Sequence, residues 1–170
     1  RKRLALAAAT APDWQSEGRE QGRVYPLCLA GIGPYGAYLA NGAEYRGRYG
    51  VSKEVLRQFH ARRMELLWNA GADILLIETQ PSLQEALLEA DLAEQLGADY
   101  WISFTCGDDA HTWEGDDIRD CAKALSENHP HLKMIGVNCV APHLVSGLIE
   151  NLKAGCGLPI GVYPNSGETY

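Results

Sequence analysis

Two kinds of block alternate along the chain. Short, nearly continuous apolar runs end in glycine, sulfur or polar residues: Val24–Gly33, Asp73–Glu78, Tyr100–Cys106, Lys133–Cys139 and Leu158–Tyr163. Each reads as a strand buried on both faces. Between them, apolar residues recur at helical spacing. Ser52–Ala70 carries Val55, Leu56, Phe59, Met64, Leu67 and Trp68, with Ser52 as N-cap and Gly71 just beyond the end. Pro81–Leu96 has Ser82 and Glu85 near its start and Gly97 at its end; Glu114–Glu127 is built around Ile118, Cys121, Ala122 and Leu125; Pro142–Ala154 is closed by Gly155. With an alanine-rich helix at Arg1–Ala11, the predicted order is α-β-α-β-α-β-α-β-α-β. That alternation predicts an α/β fold with a parallel sheet covered by helices. The exception is Gly33–Gly50, rich in Gly and Tyr, a loop whose length points to function.

Composition narrows the class. The chain has 170 residues and a net charge of −7. That is one domain, short of the ~250 residues of a complete eight-stranded barrel. The acidic balance and the lack of a Lys/Arg stripe argue against nucleic acid as a partner. No apolar run reaches the ~18 residues of a membrane span. Five scattered cysteines, odd in number and without a C-x-x-C pair, fit a reducing compartment, and a cytoplasmic location is expected. Arg1–Ala11 imitates a signal peptide, but its apolar stretch is short, so the helix reading is preferred.

In parallel sheets, ligands bind at the C-terminal strand ends. The groups delivered there are Gly31–Gly36, Glu78-Thr79-Gln80, Thr105–Asp108, Asn138-Cys139 and Tyr163–Glu168. Gly31-x-Gly33-x-x-Gly36 matches the dinucleotide fingerprint in form. It is rejected because no long helix is expected to follow at once, and the next acidic residue, Glu54, falls inside a helix pattern. Glu78 directly follows an apolar run, so its charge needs a partner: a helix arginine, a ligand ammonium, or a proton to abstract. Cys139 reads equally as a core residue or a site thiol, either nucleophile or metal ligand. Cys106, Asp108 and His111 form a weak candidate metal spacing. His60, His129, His131 and His143 are expected on helix surfaces or in turns.

The runs GIGPYGAYLANGAEYRGRYG (31–50), GADILLIET (71–79), IGVNC (135–139) and VYPNSGE (162–168) together resemble the homocysteine S-methyltransferase family, closest to bacterial enzymes that use S-methylmethionine. The resemblance covers nearly all of Val24–Tyr170. It implies a parallel (β/α) barrel of the TIM type and zinc-dependent methyl transfer from a sulfonium donor (S-methylmethionine, or S-adenosylmethionine) to the thiol of homocysteine, giving methionine. It implies Cys139 as a zinc ligand and Glu78 as the holder of the homocysteine ammonium. It further implies that Asn138 and the 163–168 loop, with Asn165 and Ser166, line the pocket, and that Tyr35 lies near the methyl donor.

The departures are specific. The family's other two zinc cysteines are adjacent, and this chain has no Cys-Cys pair. The five strands correspond to strands three to seven of eight. The chain is therefore expected to be a single incomplete barrel domain, 1–170, with two cysteine ligands outside it, exposed sheet edges and no activity alone. Oligomeric state is not legible. Two other readings compete: a metal-free α/β enzyme with Cys139 as nucleophile and Glu78 as base, and a flavodoxin-like binding module without catalysis.

Overall fold

The computed structural model describes residues 20–24 and 27–167. The predicted helix at 1–11 and Glu168 lie outside the described residues. Five strands form one parallel sheet: β1 (Leu29–Ile32), β2 (Ile74–Gln80), β3 (Tyr100–Phe104), β4 (Leu132–Asn138) and β5 (Ile160–Tyr163). Among the described residues, five α-helices accompany them: α1 (Tyr35–Tyr38), α2 (Lys53–Trp68), α3 (Leu83–Leu96), α4 (Ile118–Asn128) and α5 (Val145–Gly155). The sheet order is β1-β2-β3-β4-β5, with every neighbouring pair parallel. A doubly wound sheet reverses direction at a switch point; a barrel adds each strand beside the last. The sequential order therefore matches the expected barrel and discards the flavodoxin-like alternative.

Local chemistry explains the helix ends. The Ser52 and Ser82 hydroxyls accept the amides of Val55 and Glu85, as N-caps do. Gly97 closes α3 at φ 62°, the left-handed backbone that suits glycine. Two expectations shift. Residues 114–117 are not helical, because Asp117 caps α4 by accepting the amides of Arg119 and Asp120. Gly155 does not terminate α5 from outside. It is the last helical residue, and a β-carbon there would collide with the Arg119 carbonyl of α4.

Side chains alternate along each strand. Leu75, Ile77, Ile102, Phe104, Ile135 and Val137 are buried against the helices. The opposite face carries Gly31, Leu76, Glu78, Trp101, Ser103, Met134, Gly136, Asn138, Gly161 and Tyr163. On it, Leu76, Trp101 and Met134 form a half-buried apolar layer across the strand middles, and the polar groups cluster above them at the C-terminal ends. The strands are thus buried on one face and half-covered on the other.

Candidate active site at the C-terminal strand ends

The site centres on Asn138, the buried last residue of β4. Its side-chain oxygen accepts the Thr79 amide at 2.8 Å and the Ser103 hydroxyl at 2.7 Å. Its nitrogen donates to Thr79 Oγ1 at 2.7 Å and to Cys139 Sγ at 3.2 Å. One amide thus ties the ends of β2, β3 and β4 together. Ser103 lies 2.7 Å from the Tyr163 hydroxyl, which donates to Glu78 Oε2 at 3.4 Å. A continuous polar chain runs from Glu78 through Tyr163, Ser103 and Asn138 to Cys139. Burial, with Glu78 nearby, pushes the Tyr163 phenol up to about 12, so it stays protonated and can donate.

The backbone is strained where this chain begins and ends. Thr79 has φ 62° and Cys139 φ 52°. Left-handed backbone is a genuine outlier for a β-branched residue. At Thr79 it coincides with a register shift between Ile77 and Gln80, a bulge of the kind that re-aims side chains beside sites. The hydrogen bonds from Asn138 hold both strained residues.

Glu78 is half-buried, and no lysine, arginine or histidine of the described residues pairs with it. Among the described residues, Glu78 thus has no ion pair with a helix arginine. Room for the carboxylate comes from Gly31: a β-carbon there would stand 2.9 Å from Glu78 Oε1. The glycine-rich turn makes space for a side chain rather than for a pyrophosphate. A helix does start directly after it, contrary to expectation, but α1 has only four residues.

Within the 33–50 loop, Tyr35 packs its ring against Tyr38, Tyr49 and Phe59, with centroids 5.0 to 5.9 Å away. Tyr45, in the 3₁₀ turn Ala43–Tyr45, neighbours Cys139. Burial and the neighbouring Cys139 sulfur raise its phenol pKa. Asn165 donates its backbone amide to the Val140 carbonyl at 2.9 Å, holding the β5 exit loop beside Cys139. Asn165 and Ser166 are exposed on that loop. Thr79 and Tyr163 stand among the strand-end groups read from the sequence, Tyr163 also in the pocket-lining loop; Ser103 and Tyr45 were not singled out. The strand period of two was the signal that could have found Ser103.

The weak metal spacing does not assemble. Cys106 is buried, and burial with Asp108 nearby pushes its thiol up to about 12. Asp108 instead accepts the Ala110 and His111 amides in an exposed turn and lies 3.1 Å from His111 Nδ1. No cluster of three or more His, Cys, Asp or Glu suited to a metal exists among the described residues. The histidine expectation also needs correction. His143 is exposed, but His129 is buried and hydrogen-bonded to the Leu125 carbonyl, and His60 is completely buried between two glutamates.

The family model described as homocysteine S-methyltransferase matches residues 1–170. The chain belongs to the homocysteine S-methyltransferase family. It is 45% identical to homocysteine S-methyltransferase YbgG of Bacillus subtilis (strain 168) over 166 residues, covering 96% of this chain and 52% of that protein. It is 40% identical to homocysteine S-methyltransferase of Escherichia coli (strain K12) over 173 residues, covering 99% of this chain and 54% of that protein. Among solved structures it superposes on the metallated form of the homocysteine methyltransferase MmuM from Escherichia coli. The TM-score is 0.85 at 38% identity, covering 96% of this chain and 56% of that one. The chain thus spans about half the length of these relatives. The sheet described above accounts for five consecutive strands of the family's barrel.

Proposed function

We propose that the protein carrying this chain transfers a methyl group from a sulfonium donor, S-methylmethionine or S-adenosylmethionine, to the thiol of homocysteine. The observation that carries this reading is the Glu78 carboxylate, without a cationic partner among the described residues, joined through Tyr163, Ser103 and Asn138 to the Cys139 thiol on one rim. Glu78 binds the substrate ammonium. Its open carboxylate is a ready anion for an amino group, and the Tyr163 hydroxyl fixes its direction. Asn138 and the exit loop with Asn165 and Ser166 form the adjoining wall. Tyr35, in its aromatic cluster, lies on the donor side, where π faces suit a sulfonium cation.

The residues present fit one corner of a zinc site. Cys139 supplies a thiol on a half-buried residue, its sulfur approached by the Asn138 amide. Catalytic zinc takes three protein ligands, and the described residues hold no group of three or more His, Cys, Asp or Glu suited to a metal. Two further cysteines are proposed to come from strands outside this chain, which also close the barrel over Leu76, Trp101 and Met134. A bound zinc ion holds a coordinated thiol deprotonated at neutral pH. In the transfer, the homocysteine sulfur supplies the electron pair for the new S–CH₃ bond. The donor's S⁺–CH₃ bond breaks, its electrons stay on the departing neutral sulfide, and the thiol proton leaves to solvent. The strand-end residues hold the two reactants in line.

We place the protein in the cytoplasm, on its cysteine usage. All five cysteines are free, and no described helix is long and apolar enough to cross a membrane. The test uses the intact protein: zinc stoichiometry and methyl transfer to homocysteine, with Cys139→Ser as the control. Loss of both zinc and transfer is expected. Full activity after exhaustive chelation would favour the metal-free alternative, with Cys139 as nucleophile and Glu78 as base.

A further inference from the structure

A second polar cluster lies beneath the 33–50 loop, away from the strand-end site. His60 on α2 is fully buried, as are Glu85 and Glu89 on α3. His60 Nε2 stands 2.8 Å from Glu85 Oε1, and His60 Nδ1 stands 2.7 Å from Glu89 Oε1. Arg63 stacks over Phe59 and donates to the Gly33 carbonyl at 3.0 Å. Ordinary helix chemistry does not explain Glu85. It occupies the third position after the Ser82 cap, where a capping-box glutamate would turn back to the cap amide. Its Oε1 instead accepts the Tyr35 amide at 2.7 Å, 50 residues away, while Oε2 has no hydrogen-bond partner among the described residues.

The Tyr35 amide is the first of α1, and the loop transmits its position. Gly36 presses α1 onto the 3₁₀ turn: a β-carbon there would stand 2.5 Å from the Glu44 nitrogen and 2.7 Å from the Ala43 carbonyl carbon. That turn carries Tyr45 to Cys139. The far end is pinned by Glu114, which accepts the Arg48 amide. Resting on the functional reading above, we propose that Glu85, braced by His60, is a positioning residue for the reaction. It sets the loop through the Tyr35 amide and thereby the placement of Tyr45 near Cys139 and of Tyr35 on the donor side. Burying these charges has no evident packing return, since an apolar trio would fill the same space without the desolvation cost.

The test compares Glu85→Ala, Glu85→Gln, Tyr45→Phe and the Glu85→Ala/Tyr45→Phe double variant in the intact protein. Glutamine keeps an acceptor oxygen for the Tyr35 amide; alanine does not. Amide hydrogen exchange over residues 35–49 is expected to accelerate at least about tenfold in Glu85→Ala, the worth of one hydrogen bond to a charged acceptor. Strands β2–β4 should exchange as in the wild type. The sulfonium donor's KM is expected to rise by a similar factor, with the homocysteine KM within about twofold. Glu85→Gln should recover both readouts to within about threefold. The Glu85→Ala and Tyr45→Phe effects on kcat/KM should be non-additive, because both act at one contact. If Glu85→Ala does not fold, Glu85→Asp carries the same comparison, with its carboxylate withdrawn by one methylene. Unchanged loop exchange, an equal rise in both KM values, or additive effects would overturn the proposal. Exchange needs no substrate, so a wild type that fails to methylate homocysteine refutes the functional reading while the loop result still decides this one.

Discussion

Asn138 shows how much one residue carries here. It satisfies the Thr79 amide, the Thr79 and Ser103 hydroxyls and the Cys139 sulfur, and two of those partners sit in left-handed backbone. Replacing Asn138 by Ala leaves a Thr79 amide without its acceptor and releases the bulge. A loss of about 2–4 kcal/mol is expected, read as a denaturant midpoint shift with unchanged slope. A surface-like change below about 0.5 kcal/mol would contradict the bridging role. At Gly31 the argument is steric. Alanine's β-carbon would stand 2.9 Å from Glu78 Oε1 and displace the carboxylate. Gly31→Ala should fold normally, yet raise the homocysteine KM about tenfold, the loss of one charge-assisted contact. An unchanged KM would remove Glu78 from the ammonium site. Glu78 and the Asn138-Cys139 pair were legible as rim residues because each directly follows an apolar run. Ser103 became a site residue only through its contact with Asn138, 35 positions away, and the roles of Thr79 and Tyr163 came only from their contacts with Asn138 and Glu78, 59 and 85 positions away.

At the scale of elements, α2 and α3 meet through charge as well as through apolar packing. His60 faces Glu85 and Glu89 from α3 and Arg63 from its own helix, with Tyr35 and the Tyr49 ring of the loop nearby. Burial opposes its charge, but the two carboxylates more than offset this and raise its pKa from near 6.5 to about 9. Burial raises the Glu89 carboxyl to about 7. Both shifts mean that the folded state binds more protons than the unfolded chain. Stability from His60 is fully present below about pH 6.5 and is lost as pH rises through about 9; Glu89 adds a decline of the same sign through about 7. The thermal midpoint of the intact protein should fall from pH 6.5 to 9, and His60→Gln should flatten that slope. An identical slope in the variant would show that other groups cause it. The sequence placed His60 on a helix surface because a lone histidine among arginines reads as solvated. Nothing in local spacing indicates that α3, 25 residues on, presents two glutamates to it.

At the scale of the molecule, the sheet formed by the described residues is open at β1 and β5, and Leu76, Trp101 and Met134 are only half-covered. Unpaired strand edges invite pairing with other chains. The 170-residue stretch expressed by itself should therefore associate in a concentration-dependent way, measured by sedimentation over a tenfold dilution series. A monodisperse monomer would contradict the need for closing strands. The sequence by itself determined the alternation of strands and helices, most helix caps, the rim on which chemistry gathers, and the family resemblance. These are local properties: a period of two or 3.6, a capping hydroxyl, a glycine, a run of motif residues in order. Only the tertiary structure decided the sequential sheet order, the bulge at Thr79, the Asn138 bridge, the placement of Tyr45 near Cys139, and the buried glutamate that holds the loop. Each depends on which distant groups meet once the helices pack on the sheet. A buried polar group must find its partner wherever the fold brings one, not where the sequence lists one.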